Sequence, residues 1–580
     1  MFRILFAAML YFVGLTSLSQ AQTVFIDQGS SWTSDLRAKF YVQDQGARIM
    51  PITWMRALLL PDGNKFLHDS LARYGYLPLA NRLEGDLPVG FTTNNFQNIK
   101  AVGMSCAACH TRQIDVNGTP YRIDGGPAIV DFQSFLKDLD DAVLAILGSA
   151  SDFDVFATSV LGAGATNTAK TTLKNNVSVW SNRYHTLIER SLPDPAWGPS
   201  RLDAISMIFN RVAGLDIGTA ADEFLIPENI AKADAPARYP FLWNAARQDR
   251  TQWPGFAENG NALLGLARNL GEVYGVFGEF HPTKQNGLLF DRDFITNNSA
   301  DWKGLKSLED WIWDIGPPKW PWGLNQHLAK EGKAIFDLPE SAGGCVSCHG
   351  ERKGAFRSIL HSTFATPVLD VGTDIRECQV LARRVKTGIL EGAKIPLIGD
   401  ALGAEATAIE VLSISVVGAI IQHALQFDSD VSALESDLDA IRTDIEGYKA
   451  ALPHLQDLRG AFPAAQDVEA FAKSSKTKCK YEARVLHGIW AAAPFLHNGS
   501  VPTLTELLTK PADRVKTFMP GPNYNIIDVG MAATQTKFSY VTKTTGCDDL
   551  ASGNSNCGHS FGTDLGDNDK RALLEYLKSL

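Results

Sequence analysis

Cysteine is scarce in this chain, with eight residues among 580, too few for the disulfide scaffold of a small secreted module. Long apolar runs are missing too. Beyond the amino terminus the longest, Val411 to Ile421, spans 11 residues behind Glu410, well short of the ~20 a membrane-spanning helix needs. No block of basic residues occurs, and 54 Lys and Arg stand against 64 Asp and Glu, a net charge of −10. Such a balance argues against nucleic acid and anionic membrane as partners. What is present is a globular composition, 45% hydrophobic and 20% charged, which excludes extensive disorder. The length suits roughly two to four domains. Twelve Trp and 27 Pro indicate a loop-rich protein with large aromatic anchors.

The first 21 residues read as a secretory signal. Arg3 supplies a positive charge, Ile4 to Leu18 is apolar, and Ser19-Gln20-Ala21 places small residues at a cleavage site. The mature chain is therefore expected to be periplasmic or secreted, without a transmembrane segment, where cysteines can be oxidised.

Residues 22–95 show no repeated motif and form an amino-terminal extension. Apolar residues three and four apart predict amphipathic helices over 131–147 and over Ala262 to Val273. Residues 280–323 hold Trp302, Trp311, Trp313, Trp320 and Trp322 with Gly316-Pro317-Pro318, and read as a wrapping linker between two halves. Residues 401–450 suggest an inserted helical pair. Asp564 to Leu580 reads as a closing helix with acidic residues in its first turn.

The chemical signal is Cys-x-x-Cys-His, present twice as Cys106–His110 and Cys345–His349. This is the attachment signature of c-type haem. Two thiols at that spacing reach the two vinyl groups of one porphyrin, and the adjacent imidazole becomes the proximal ligand of the iron. A zinc site would want two Cys pairs close together, yet these lie 239 residues apart. A thioredoxin-like motif would need a βαβ context and no His. Cys378, Cys479, Cys547 and Cys557 remain, an even number in an exported chain, so two disulfides are expected. Three pairings exist; the one that closes the short Cys547–Cys557 loop leaves Cys378 with Cys479.

With two such motifs in one exported chain, the sequence resembles the di-haem cytochrome c peroxidase/MauG superfamily. Several stretches are similar to its rubber-oxygenase branch, the RoxA-like proteins: Tyr121 to Ala128, Pro240 to Trp243, Arg268 to Val273, Gly488 to Ser500 and Gly553 to Asn556. The resemblance covers roughly residues 95–580, with about 397–475 as extra material. It implies a mainly α fold of two cytochrome c-like haem domains, 96–320 and 321–580, with loop-rich extensions and the insertion at 397–475. It also implies two covalent c-type haems.

Function turns on the sixth ligand of each iron, since an iron with two strong protein ligands transfers electrons while an open face binds O₂ or peroxide. Di-haem peroxidases place a distal His shortly after the first proximal one. Thr111 to Asp141 contains neither His nor Met, so the first haem, on His110, is expected to be open unless His185 or His281 reaches it. For the second haem, on His349, the loop before the last helix carries His559 as expected distal ligand. His497 is the runner-up, and His487 and Met519 follow. The resemblance further implies Trp243 as an aromatic between the haems, and Phe241 or Phe256 over the open face.

The expectation is a haem-dependent dioxygenase acting on carbon–carbon double bonds of an apolar substrate, a polyisoprene or an unsaturated fatty acid, with O₂ at the amino-terminal haem. A hydrogen-peroxide reductase fed by a small redox protein is the alternative, and an electron-transfer cytochrome the third.

Overall fold

The computed structural model describes residues 22–79, 85–220, 223–259, 262–286, 289–358, 361–394, 401–426 and 478–580. The signal segment and most of the insertion, 427–477, lie outside these residues.

The expected mainly α class gives way to a mixed one. Helices share the fold with many short strands, and the reason is local turn chemistry around the first Cys motif. Phe91–Phe96 and Ile99–Met104 form an antiparallel hairpin, and Thr111–Val116 and Thr119–Asp124 a second. Both close through two residues at positive φ, Gln97-Asn98 (50° and 64°) and Asn117-Gly118 (51° and 81°). Such turns match the right-handed twist of the strands they join. Cys106–Cys109 forms one helical turn between the two hairpins. Gly90, at φ +77°, lies so close to this turn that a Cβ would stand 1.9 Å from the Ala108 nitrogen.

The amino-terminal extension is tied to the second hairpin. Val24–Phe25 adds a parallel strand beside Tyr121-Arg122. The buried Asp124 carboxylate accepts from Trp32 Nε1 at 2.7 Å, Tyr41 Oη at 2.5 Å and Arg37 Nε at 2.5 Å. A buried carboxylate is tolerated only when so fully bonded.

The helix expected over 131–147 forms as Phe132–Gly148. Asp131 caps it through the Ser134 N–H, and Phe132, Phe135, Leu136, Leu139, Val143 and Ile146 make its buried stripe. Ala262–Gly275 is likewise helical. The stretch read as a linker contains a helix, Trp302–Ile312, capped by Asp301 and buried along Leu305, Leu308 and Ile312. Its three-and-four spacing was masked by the Pro-rich steps that follow. From the insertion, Ala408–Gln426 is helical and packs on Ala262–Gly275. Its expected partner helix lies outside the described residues.

Gln326–Phe336 packs against the closing helix Asp567–Ser579. Gly332 permits this approach, because a Cβ there would come within 1.9 Å of the Ala572 carbonyl oxygen. Cys378–Cys479 and Cys547–Cys557 are both disulfides. Among the described residues no single helix is long and apolar enough to cross a membrane.

Candidate cofactor cavities

Each Cys-x-x-Cys-His motif opens onto its own internal cavity. The amino-terminal one, about 180 Å³, is bordered by Cys106, Cys109 and His110. The carboxy-terminal one, about 170 Å³, is bordered by Cys345, Cys348 and His349. All four cysteines are outside disulfides, as thioether formation requires. Burial pushes the Cys106 and Cys109 thiols up to about 12 and Cys345 up to about 11, so they remain protonated and inert until they react.

Both proximal imidazoles are oriented alike. His110 Nδ1 lies 2.9 Å from the Pro240 carbonyl, and His349 Nδ1 lies 2.7 Å from the Arg484 carbonyl. A carbonyl only accepts, so Nδ1 carries the proton in each ring and Nε2 keeps its lone pair. This is the arrangement that fixes a metal-ligating His. Burial also lowers both pKa values, His110 to about 4, and holds the rings neutral.

The two cavities differ in what faces the proximal ring. In the carboxy-terminal cavity His559 faces His349, with ring centroids 6.3 Å apart. Two metal–nitrogen bonds of about 2 Å each plus the two ring radii come to about 6 Å, so one iron fits between them. His559 is half-buried, its pKa pushed down to about 3 chiefly by burial, with the Arg514 guanidinium adding to the effect. Its Nδ1 has no hydrogen-bond partner. His497 also borders this cavity, but its ring lies flat on Tyr481 at 3.6 Å. His487 is paired with Glu351 at 2.8 Å. Neither His487 nor Met519 belongs to the cavity wall.

In the amino-terminal cavity His110 is the single imidazole among the described wall residues, though Met104 and Met207 also border it. His185 pairs with Asp140 at 2.8 Å, and His281 stacks on Phe224 at 4.2 Å; neither reaches the cavity. The wall is apolar at Phe132, Ile205, Ile208, Val276 and Ile312, and polar at Gln252, Arg268, Asn269 and Glu272. Glu272 accepts from Gln252 Nε2 at 2.8 Å, and burial raises its pKa.

Three aromatic expectations come out differently. Trp243 is fully buried with Nε1 donating to the His487 carbonyl at 2.7 Å, and it borders neither cavity. Trp253 borders both. Phe241 borders the carboxy-terminal cavity instead of the amino-terminal one and stacks on Trp243 at 4.8 Å. Phe256 borders neither and packs into the core around Ala262–Gly275. The side chains that sequence reasoning missed are Trp253, Arg238 and Arg484, common to both cavities, and Glu272 with Gln252 in the first. Arg268 to Val273 is one of the stretches that carry the resemblance, and a Glu within its apolar helical pattern was the available signal.

Free thiol pairs beside His110 and His349 and largely apolar walls suit haem held through thioethers, in keeping with a cytochrome c-like, haem-binding class of protein. The comparisons agree at that level. A family described as RoxA-like, cytochrome c-like matches residues 480–519, the segment carrying Arg484 and His497. The chain is 29% identical to the uncharacterized protein y4iJ of Sinorhizobium fredii over 645 positions, spanning 100% of this chain and 98% of that protein. It is 36% identical to a second uncharacterized protein of that bacterium, y4iM, over 292 positions, 50% of this chain and 48% of the other. The family match points to a haem-containing, oxidoreductase-like protein.

Proposed function

We propose that the chain is an exported di-haem c-type oxidoreductase, a dioxygenase acting on carbon–carbon double bonds of an apolar substrate such as a polyisoprene or an unsaturated fatty acid. The observation that carries this reading is the asymmetry of the cavities: two imidazoles face each other in one, and a single imidazole borders the other. Haem in the first cavity supplies the chemistry on dioxygen. Cys106 and Cys109 would anchor that group, and His110, oriented by the Pro240 carbonyl, would ligate it. Cys345 and Cys348 would anchor the second, with His349 and His559 available to ligate it. The apolar side chains of the first wall exclude water and favour a hydrocarbon over a charged substrate. Trp253, bordering both cavities, is the aromatic through which an electron passes between them. The two disulfides support an oxidising compartment, hence a periplasmic or secreted location after removal of the leader.

A second reading has its own observation. Glu272, half-buried, with its pKa raised by desolvation and bonded to Gln252, is placed to hold a proton in the first cavity, which peroxide reduction requires. A small redox protein would then be the electron donor.

The deciding experiment feeds the purified protein O₂ with oleate or polyisoprene latex and no peroxide. Oxygen uptake, with labelled oxygen in the product, is expected. Glu272→Gln should leave that uptake within a few-fold. No uptake, with rapid peroxide reduction that Glu272→Gln slows by about 10²-fold or more, would establish the second reading instead.

A further inference from the structure

The two proximal histidines meet through one side chain. His349 donates to the backbone carbonyl of Arg484 at 2.7 Å. The guanidinium of the same residue donates through Nη1 to the Phe241 carbonyl at 3.0 Å. Phe241 follows Pro240, whose carbonyl takes the His110 proton at 2.9 Å. Arg484 thus holds the peptide next to the one whose carbonyl orients His110, while its own carbonyl orients His349. Its side chain is 6% exposed, borders both cavities, and lies 5.1 Å from the Phe241 ring centroid and 5.0 Å from that of Trp253. Nε is bonded to Glu482 at 2.6 Å.

We propose that Arg484 is a positioning residue that couples the two haem-binding histidines, so that the state of one site sets the ligand strength at the other. The proposal rests on the reading of His110 and His349 as proximal ligands of two haems. The partner of the non-ligating nitrogen fixes a metal-bound imidazole's orientation and raises its basicity. With haem bound, a change in charge at its iron would alter how strongly His349 donates to the Arg484 carbonyl. A guanidinium fork bonded at both ends and stacked on a ring has one favoured position, so it carries the displacement to Phe241 and hence to the Pro240 carbonyl. Glu482 balances the charge of Arg484, so the coupling is mainly geometric. By linkage it acts equally in both directions.

Redox potentiometry of the full chain tests this with R484K and R484M, and with R514K as a control. Arg514 holds the His559 loop and borders neither cavity. Both Arg484 variants are expected to shift both haems, each by about a tenfold change in its one-electron equilibrium, roughly 59 mV. R514K should shift the carboxy-terminal haem alone. CO affinity of the amino-terminal haem should depend on the redox state of its neighbour in the parent chain and lose that dependence in R484K. Lysine keeps the charge but not the fork, so restoration by R484K would overturn the geometric coupling, as would a shift confined to one haem. R484K carries the test should R484M lose haem. Fewer than two covalent haems in the parent chain would refute the underlying reading and not the coupling alone.

Discussion

His559 sits in a loop whose backbone is restrained at several points. Its own φ is +48°, and Cys557, two residues earlier, is tied to Cys547. Arg514 donates to the carbonyls of Asn556 at 2.6 Å, Gly558 at 2.9 Å and His559 at 3.0 Å, and the His559 N–H bonds to Val371 at 2.9 Å. A strained backbone position persists only when its surroundings over-determine it. His559→Ala should therefore convert the carboxy-terminal haem from low spin to high spin, read by electron paramagnetic resonance, while the amino-terminal site keeps its haem and its ability to bind O₂. His497→Ala should keep the low-spin signal, since His497 is committed to Tyr481. A low-spin, two-nitrogen signal surviving in His559→Ala would move the ligand to His497. The position of His559 ahead of the closing helix made it legible in the sequence. Trp253 was not, because ten residues separate it from Trp243 and both lie in loops. The left-handed Asn244 (φ 67°) and the ladder Arg250-Thr251 with Ala257-Glu258 decide which ring turns to the cavities.

Among the secondary elements, Gln326–Phe336 packs on Asp567–Ser579, and the latter contributes Leu573 and Leu577 to the carboxy-terminal cavity. Two effects oppose each other at Gly332. Alanine favours an isolated helix by about 1 kcal/mol over glycine. Here its Cβ would press on the Ala572 carbonyl at 1.9 Å, and backbone cannot yield as a side chain can. Overpacking of this kind costs about 1–3 kcal/mol. Gly332→Ala should be net destabilising, seen as a lower denaturant midpoint with unchanged slope; an unchanged or higher midpoint would show that the helices separate freely. The amphipathic helices were legible because their period lies within one element. The two hairpins were overlooked, though Asn117-Gly118 between alternating residues is a strong local signal.

Over the whole molecule the two disulfides act on very different lengths of chain. Cys378–Cys479 spans 101 residues and Cys547–Cys557 spans 10. In the chain-entropy picture the longer loop is worth about 5 kcal/mol and the shorter about 3 kcal/mol. Replacing Cys378 and Cys479 by Ala should cost the greater stability in denaturant unfolding. Replacing Cys547 and Cys557 should cost less but perturb the carboxy-terminal haem spectrum more, since His559 follows directly. The reverse order of stabilities would place the main constraint in packing instead of loop closure. Cys378 and Cys479 are both fully buried, beside Glu377 and Tyr481, which border the amino-terminal and carboxy-terminal cavities respectively.

The two attachment motifs are legible locally. Cys106 to His110 and Cys345 to His349 present thiols and imidazole at adjacent positions, so five residues suffice to state the chemistry at each site. The helical stripes were determined in the same way by short-range spacing. What faces each proximal imidazole, which aromatic lies between the cavities, and how His110 is linked to His349 were decided only in three dimensions. Those relations join residues 210 apart, as with His349 and His559, or 243 apart, as with Phe241 and Arg484. No periodicity reports such distances, because side-chain direction in the connecting loops is set by turns, buried hydrogen bonds and disulfides that exist only once the chain has closed on itself.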